Sequence, residues 1–208
     1  MAVKAELGTS ASELGHLVNS LGLVHFRGVY DKHFPGFLDP DRPQYAIVNT
    51  GDRSSGGVHW IAFAFDPNNF KFYIFDPFGF SKRELLARYH FQYTNMMRNT
   101  ALRVPFGCIQ LVRSTQAVQC PCSAACGLFC ILFLASFEMY RQSPMVCNPI
   151  IDVVKGVNHS MLLTPEGIKI THTNQRNLYD WMYINSSYFR RNVRRIKEST
   201  TLNAIKIH

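Results

Sequence analysis

The stretch Ser123-Ala-Ala-Cys-Gly-Leu-Phe129 opens a long apolar run that continues to Phe137. This run predicts a buried helix that ends before Pro144, with Ser123 as its N-cap and Cys126 one turn inside it. The positive end of a helix dipole and its free backbone N–H groups favour the thiolate form of a cysteine. The sequence therefore predicts a cysteine nucleophile, Cys126, at the N-terminus of a buried helix.

Apolar segments upstream of this helix predict a small β-sheet. Tyr45–Thr50, Val58–Phe65 and Phe70–Phe75 are separated by short turns rich in Gly, Asp and Asn. Strands joined by such turns form an antiparallel meander. A further strand is predicted at Cys108–Arg113, whereas Tyr30–Phe37 has no regular pattern.

Two capping-box sequences predict further helices. Ser10-x-x-Glu13 is followed by leucine and valine at helical spacing, and Ser81-x-x-Glu84 opens a helix that reaches about Asn99. Strands and helices thus follow one another in mixed order. We expect an α+β fold, in which a small mixed or antiparallel β-sheet carries packed helices.

Length and composition indicate one ordered domain over residues 1–208, since 47% of the residues are hydrophobic and 17% are charged. The apolar run after Cys126 is shorter than the roughly 20 residues that a membrane span requires. The first residues lack the apolar core of a signal peptide. We therefore expect a soluble, non-secreted protein, most of whose six cysteines are reduced.

The net charge of +8 favours polyanionic partners. Much of the excess lies in a basic helical segment at about residues 174–208, with predicted helices at Tyr179–Ile184 and Tyr188–Lys197. This segment either contacts nucleic acid or forms a solvated face. The candidate DNA-binding residues are Arg190, Arg191, Arg194, Arg195 and Lys197.

A histidine and an aspartate complete the predicted site. His59 on the second strand and Asp76 at the end of the third are neighbours in a meander, so Asp76 can orient the imidazole that shares a proton with the thiol. Gly56-Gly57 would let a substrate backbone approach closely. Gln119, on the loop that enters the helix, is predicted to form an oxyanion hole with the backbone N–H of Cys126.

Three other functions remain open from the residues alone. One is a metal site made by Cys120, Cys122, Cys126 and Cys130, although their spacing does not match the paired C-x2-C of structural zinc sites. A second is a catalytically silent DNA-packaging protein, which a thiol-directed active-site probe would not label at one cysteine. A third is a Cys-His-Asp acyltransferase, against which peptide cleavage without an acyl donor would argue.

Several segments closely resemble the adenovirus endopeptidase family, and the resemblance runs from about residue 10 to residue 190. Shorter matches lie at Tyr30–Phe37 and Ser160–Leu162. The segments that carry it best are Gly56-Gly-Val-His-Trp60, Phe75-Asp-Pro-Phe-Gly-Phe80, Ser114-Thr-Gln-Ala-Val-Gln119 and Ser123–Phe129.

This resemblance implies a cysteine protease, distantly similar to SUMO-deconjugating proteases, with His59, Asp76, Gln119 and Cys126 in the catalytic site. It implies maturation of precursor capsid and core proteins at Gly-containing sequences, inside the virion and in the host nucleus, without a metal. Two cofactors follow from it, namely viral DNA and a short cysteine-bearing peptide cut from a capsid precursor. In the family, one cysteine forms a disulfide with this peptide, and Cys108 occupies the position of that cysteine in this chain.

Two positions depart from the family pattern. Asp76 stands where familiar members have Glu, so the side chain that must reach His59 is one methylene shorter. After Gln119, Cys120-Pro121-Cys122 replaces the usual Gly-Pro-Asn. These added thiols are either neutral variation or the basis of a reversible Cys122–Cys126 redox block.

Overall fold

The computed structural model describes residues 7–55 and 58–202. Gly56 and Gly57, predicted to admit a substrate backbone, lie outside the described residues, as does the end of the basic segment after residue 202. Within the described ranges, no helix is both long and apolar enough to cross a membrane.

Among residues 7–55 and 58–202, a five-stranded mixed sheet forms the centre of the fold, in the order β1-β2-β3-β4-β5. The predicted meander is confirmed, because β2, β3 and β4 pair antiparallel, whereas β1 and β5 join the two edges in parallel. The strand β1 was not predicted. The strands are β1 (Phe26–Tyr30), β2 (Gln44–Asn49), β3 (Trp60–Asp66), β4 (Lys71–Phe75) and β5 (Gln110–Arg113).

In the part of the chain that the structure describes, six α-helices accompany the sheet, which confirms the α+β class. The helix predicted from Ser81 to about Asn99 is in fact two helices, because His90 adopts a left-handed conformation with φ 50° and ends the first. The helices are α1 (Ala11–Ser20), α2 (Lys82–Tyr89), α3 (Thr94–Ala101), α4 (Cys126–Met139), α5 (Pro165–Asn185) and α6 (Ser187–Thr200).

The helix α4 packs against one face of the sheet. Side chains alternate along a strand, so β3 presents the small residues Ala62 and Ala64 to the cluster that contains α4, and Phe63 and Phe65 to the opposite face. Small residues let a helix lie close to the strand. The second face is filled mainly by aromatic side chains, of which Phe63 contacts Phe72 and Phe91.

Both capping serines accept the predicted hydrogen bond, but of the two only Ser81 forms a complete capping box. Ser81 and Glu84 form both hydrogen bonds of a capping box. Ser10 accepts a hydrogen bond from the backbone N–H of Glu13, but the buried Glu13 carboxylate lies 2.7 Å from Arg195 of α6. This ion pair joins the N-terminal and C-terminal helices.

Candidate active site

The sheet brings His59 and Asp76 together at one end of two neighbouring strands. His59 lies immediately before β3, one residue outside the strand on which it was predicted, and Asp76 immediately follows β4. Because β3 and β4 are antiparallel, with Ala62 opposite Phe75, the start of one lies beside the end of the other. The carbonyl oxygen of His59 also accepts a hydrogen bond of 2.9 Å from Thr50.

The Nε2 atom of His59 lies 2.7 Å from Oδ1 of Asp76, and both side chains are only 2% exposed. Burial lowers the pKa of His59, but the charge and hydrogen bond of Asp76, together with interactions with Cys126, outweigh it and raise this pKa to about 10. The imidazole is thus held as an imidazolium at neutral pH. With Nε2 on the carboxylate, Nδ1 is the ring nitrogen left for the thiol.

A tight turn after β4 fixes the Asp76 carboxylate. Its two oxygens accept hydrogen bonds from the backbone N–H groups of Phe78 (2.9 Å) and Phe80 (3.0 Å). Gly79 has φ +65°, and a Cβ there would lie 2.5 Å from the carbonyl oxygen of Gln116, so the turn requires glycine. The shorter carboxylate is therefore held rigidly within reach of the imidazole.

Two aromatic rings hold the imidazole plane, and sequence reasoning missed both roles. Phe78 stacks on His59 with centroids 5.0 Å apart, and Tyr89 stacks with centroids 5.3 Å apart. Burial, followed by the nearby charges of Asp76 and Cys126, raises the pKa of Tyr89 to about 12. Phe78 belongs to the segment that carries the family resemblance, whereas nothing in the sequence around Tyr89 pointed to the site.

Cys126 is the first residue of α4, rather than one turn inside it. Ala125 occupies the N-cap position, and Ser123 instead accepts a hydrogen bond of 3.2 Å from the Ala125 N–H. The backbone N–H of a first helical residue has no acceptor within the helix. The Cys126 thiol is half-buried and forms no disulfide. The next residue must be glycine, because a Cβ at Gly127 would lie 2.2 Å from Thr9 Oγ1.

Gln119 lies on the loop before α4 and is buried, with 1% exposure. Its Nε2 donates a hydrogen bond of 2.8 Å to the carbonyl oxygen of Ser123. Its backbone N–H donates to the carbonyl oxygen of Pro77, in the turn that fixes Asp76. The second N–H of the side-chain amide remains available to a ligand.

A cleft of about 840 Å³ is lined by His59, Gln119 and Cys126, whereas Asp76 is not part of its lining. The cleft is large enough for a peptide segment, since ligand sites usually span roughly 300–1,000 Å³. The lining also includes Thr9, Asn49, Trp60, Arg88, Pro121 and His159.

The pairing of the cysteines differs from the predictions. Cys120 is bonded to Cys122 in a disulfide, so Cys122 is not bonded to Cys126 in this structure. The predicted four-cysteine metal site is wrong, because the group of possible metal ligands contains Cys120 and Cys122 but neither Cys126 nor Cys130. Cys130 is buried and donates a hydrogen bond of 3.3 Å to the carbonyl oxygen of Trp60. Burial, with a contribution from Cys126, raises the pKa of Cys130 well above its ordinary value.

Cys108 is an exposed free thiol, two residues before β5. The strand β5 is at the edge of the sheet, beside β4. An edge strand presents unpaired backbone groups to another chain. Cys108 therefore lies next to a position where an extended peptide could pair.

The candidate DNA-binding residues all lie on α6 and are exposed. Four of them also make contacts within the protein. Arg190 donates to the carbonyl oxygens of Tyr183 and Ile184, Arg194 pairs with Glu198, Arg195 pairs with Glu13, and Lys197 lies over the Tyr179 ring. Their role in DNA binding stays a prediction.

Known proteins resemble this chain over nearly its whole length. A family model described as adenovirus endoprotease matches residues 26–204. A protease of avian adenovirus 8 (strain ATCC A-2A) is 55% identical over 199 residues, which are 95% of this chain and 97% of that protein. A protease of frog adenovirus 1 (strain ATCC VR-896) is 52% identical over 203 residues, which are 97% of this chain and 100% of that protein.

Proposed function

The chain belongs to the adenovirus endoprotease family, and from that premise we propose that it is a cysteine endopeptidase with His59, Asp76, Cys126 and Gln119 in its catalytic site. We propose that it acts as one domain. Its substrates are viral precursor capsid and core proteins, cleaved at Gly-Gly-x or Gly-x-Gly sites during virion maturation, in the virion interior and the host nucleus. The observation that carries the proposal is the buried His59–Asp76 contact, whose His59 lines the same cleft as the free thiol of Cys126 at the start of α4.

Acylation begins when the Cys126 thiolate attacks the scissile carbonyl carbon and forms a tetrahedral intermediate. His59, held as the imidazolium by Asp76, gives its proton to the leaving amine, and the C–N bond breaks. The product is a thioester on Cys126. Neutral His59 then takes a proton from water, whose oxygen attacks the thioester and releases the acid and the thiolate.

The negative oxygen of each tetrahedral intermediate needs hydrogen-bond donors. The backbone N–H of Cys126 is suited to this role, since a first helical residue has no hydrogen-bond acceptor within its helix. The side-chain amide of Gln119 is also suited, since only one of its two N–H groups is used in the hydrogen bond to Ser123. Preorganised donors of this kind are worth roughly 3–4 kcal/mol each.

We propose that a short cysteine-bearing peptide from a viral capsid precursor activates the enzyme. The exposed thiol of Cys108 and the neighbouring edge strand β5 support this role. The peptide would add a strand to the edge by backbone hydrogen bonds. A disulfide to Cys108 would then keep it in place.

We propose viral DNA as the second cofactor, bound without sequence preference, and we propose that catalysis uses no metal cofactor. The exposed arginines of α6 support contacts to phosphates. Phosphate contacts position a protein on DNA but do not read its sequence.

A cleavage assay tests the activity. A peptide containing a Gly-x-Gly site is incubated with the protein, with and without DNA and the candidate activating peptide. We expect the wild-type protein to cleave this peptide. Cys126→Ala and His59→Ala should each lower the cleavage rate by about 10⁴-fold or more. The double variant should lose little more, because the two residues act as a unit. Cys147→Ser, which removes an exposed free thiol, is the matched control and should remain active.

The same assay excludes the alternative of a non-catalytic DNA-binding virion protein. In that case the protein would bind DNA but would leave every Gly-containing peptide uncut in the presence of both cofactors. Activity above a few per cent of wild type in Cys126→Ala would reject the nucleophile.

A further inference from the structure

The loop between Gln119 and α4 contains a group of metal-ligating side chains that the proposed catalysis does not use. Cys120, Cys122 and His172 place their ligand atoms within 4.8 Å of one another, and they form the one such group of at least three found in residues 7–55 and 58–202. The Nε2 atom of His172 lies 3.5 Å from Sγ of Cys122. His172 comes from α5, fifty residues further along the chain.

We propose that Cys120, Cys122 and His172, once the disulfide between the two cysteines is reduced, bind a thiophilic divalent cation of the zinc class. Thiolate sulfur and imidazole nitrogen are the ligands that Zn²⁺ prefers. Three protein ligands leave one tetrahedral position for water, and His172 is half-buried, so solvent can reach the site.

The local backbone prearranges the two sulfurs. Ser123 N–H bonds to the carbonyl oxygen of Cys120 at 3.0 Å, which closes a four-residue turn with Pro121 in its second position. Proline restricts the backbone there, so both cysteine side chains are held close together. The N–H of Cys122 also donates to Sγ of Cys120 at 3.2 Å, and a hydrogen bond to sulfur stabilises a thiolate ligand.

The disulfide itself adds little restraint on the unfolded chain. Its cysteines are separated by two positions, and the entropy gained from a cross-link grows with the length of the closed loop. A role in folding stability therefore explains this pair of cysteines poorly. A reversible ligand pair explains why they lie beside a histidine from another element.

Reduction and metal binding balance as two steps. A dithiol reductant gives two electrons and two protons to the Cys120–Cys122 bond, which breaks into two thiols, while the reductant becomes a disulfide. The cation then binds two thiolates and the neutral His172 ring, and both thiol protons are released to solvent. In the reverse direction, a disulfide oxidant accepts two electrons from the two thiolates and takes up two protons from solvent to become a dithiol, while the Cys120–Cys122 bond re-forms and the cation is released.

Binding would tie the loop of Gln119 to α5. The disulfide links only two neighbours within the loop, whereas a metal ion would also include His172. The helix α5 already holds this loop at another point, since Asn174 donates a hydrogen bond of 2.8 Å to the carbonyl oxygen of Val118. The cation is thus a positioning element behind the proposed oxyanion loop, and the metal site itself does not depend on the proposed function.

Cobalt titration of the full chain tests the site. The protein is reduced with a phosphine in the absence of oxygen, freed of the phosphine and titrated with Co²⁺, with the thiolate-to-cobalt absorption band as the readout. We expect one equivalent of Co²⁺ per chain in tetrahedral coordination, which Zn²⁺ displaces. The oxidised protein should give no such band.

Variants identify the ligands. Cys120→Ser with Cys122→Ser should abolish the band, and His172→Ala should weaken Co²⁺ binding at least about tenfold. The matched control is Cys108→Ser with Cys147→Ser, which also removes two thiols, both of them exposed, and should titrate like wild type. Thermal unfolding without metal checks that each variant is folded.

Two outcomes would overturn the proposal. Either the reduced wild type shows no thiolate-to-cobalt band, or the band persists unchanged in the Cys120/Cys122 variant or in His172→Ala. Peptide cleavage is not read in this experiment, so its failure is separate from a failure of the proposed protease activity.

Discussion

Asp76 holds His59 by a hydrogen bond of 2.7 Å from Nε2 to Oδ1, and this carboxylate in turn accepts two backbone N–H groups from its own turn. The tight Asp-Pro-Phe-Gly turn therefore holds the carboxylate in place. Phe78 and Tyr89 also stack on the imidazole, so ring packing restrains its plane in addition to the hydrogen bond.

We expect Asp76→Asn to lower turnover by about 10⁴-fold, because an amide cannot fix the required imidazole tautomer. The Cys126 thiol should still be present, and it can be titrated with a disulfide reagent in the unfolded protein. Turnover is measured by cleavage of a Gly-x-Gly peptide with cofactors at saturation. An Asp76→Asn protein with wild-type turnover would remove this residue from the catalytic site.

The raised pKa of His59 predicts a pH dependence of stability. A histidine in the unfolded chain has a pKa near 6.5, whereas the pKa of His59 in the folded protein is about 10. The folded state therefore binds this proton more tightly. The resulting contribution to the free energy of unfolding is fully present below pH 6.5 and is lost as the pH rises to about 10. Denaturant unfolding of wild type and His59→Phe at several pH values measures this. The difference in unfolding free energy between the two should change across this window, and a constant difference would contradict it.

Much of the central sheet and the placement of His59 beside Asp76 could be predicted because the signals are local. Apolar runs with short turns specify the antiparallel meander, and in such a meander His59 and Asp76 lie at the same end of two neighbouring strands. Ser81 and Glu84 lie three residues apart and form the expected capping box. Patterns of this kind need no knowledge of distant contacts.

Other features depend on contacts that the sequence does not reveal. The strand β1 pairs in parallel with β2 and contains Gly28, so neither a hairpin turn nor apolar alternation marks it. The helix break at His90 has no Gly or Pro signal. His172 lies fifty positions from Cys122, and only the packing of α5 against the loop brings the two together.

Gln119 provides a test of the oxyanion hole. Gln119→Ala should lower kcat by about 10²–10³-fold with little change in KM, since the donor acts on charge that develops in the transition state. The control is Gln116→Ala on the same segment, whose amide donates to Asn158 at the surface. Equal losses in the two variants would indicate damage to the loop instead of loss of a donor.

The exposed thiol of Cys108 should form a mixed disulfide with a cysteine-bearing activating peptide. Intact mass after mild oxidation should show one peptide adduct, absent in Cys108→Ser and retained in Cys147→Ser, the other exposed free thiol. A peptide whose cysteine is replaced by serine should still bind β5, but it should dissociate on dilution. Mapping of the adduct to any other cysteine would reject Cys108 as the attachment site.

DNA binding should depend on salt and on the basic face of α6. Each phosphate contact contributes about −0.9 to the slope of log affinity against log salt. We expect a variant that combines Arg190→Gln, Arg191→Gln, Arg194→Gln and Arg195→Gln to bind DNA more weakly and to show a shallower slope. Peptide cleavage in the absence of DNA should be unchanged.

The structure indicates how this variant must be controlled. Arg195 pairs with Glu13, and Arg190 bonds to the end of α5, so thermal unfolding must first show that the fold is retained. The matched control replaces four exposed basic residues elsewhere, in a variant that combines Lys82→Gln, Arg83→Gln, Lys169→Gln and Arg176→Gln. It loses the same number of charges. If both variants change the slope of log affinity against log salt equally, net charge alone governs binding. If the slope is unaltered in the α6 variant, other basic residues contact the phosphates and α6 is a solvated face.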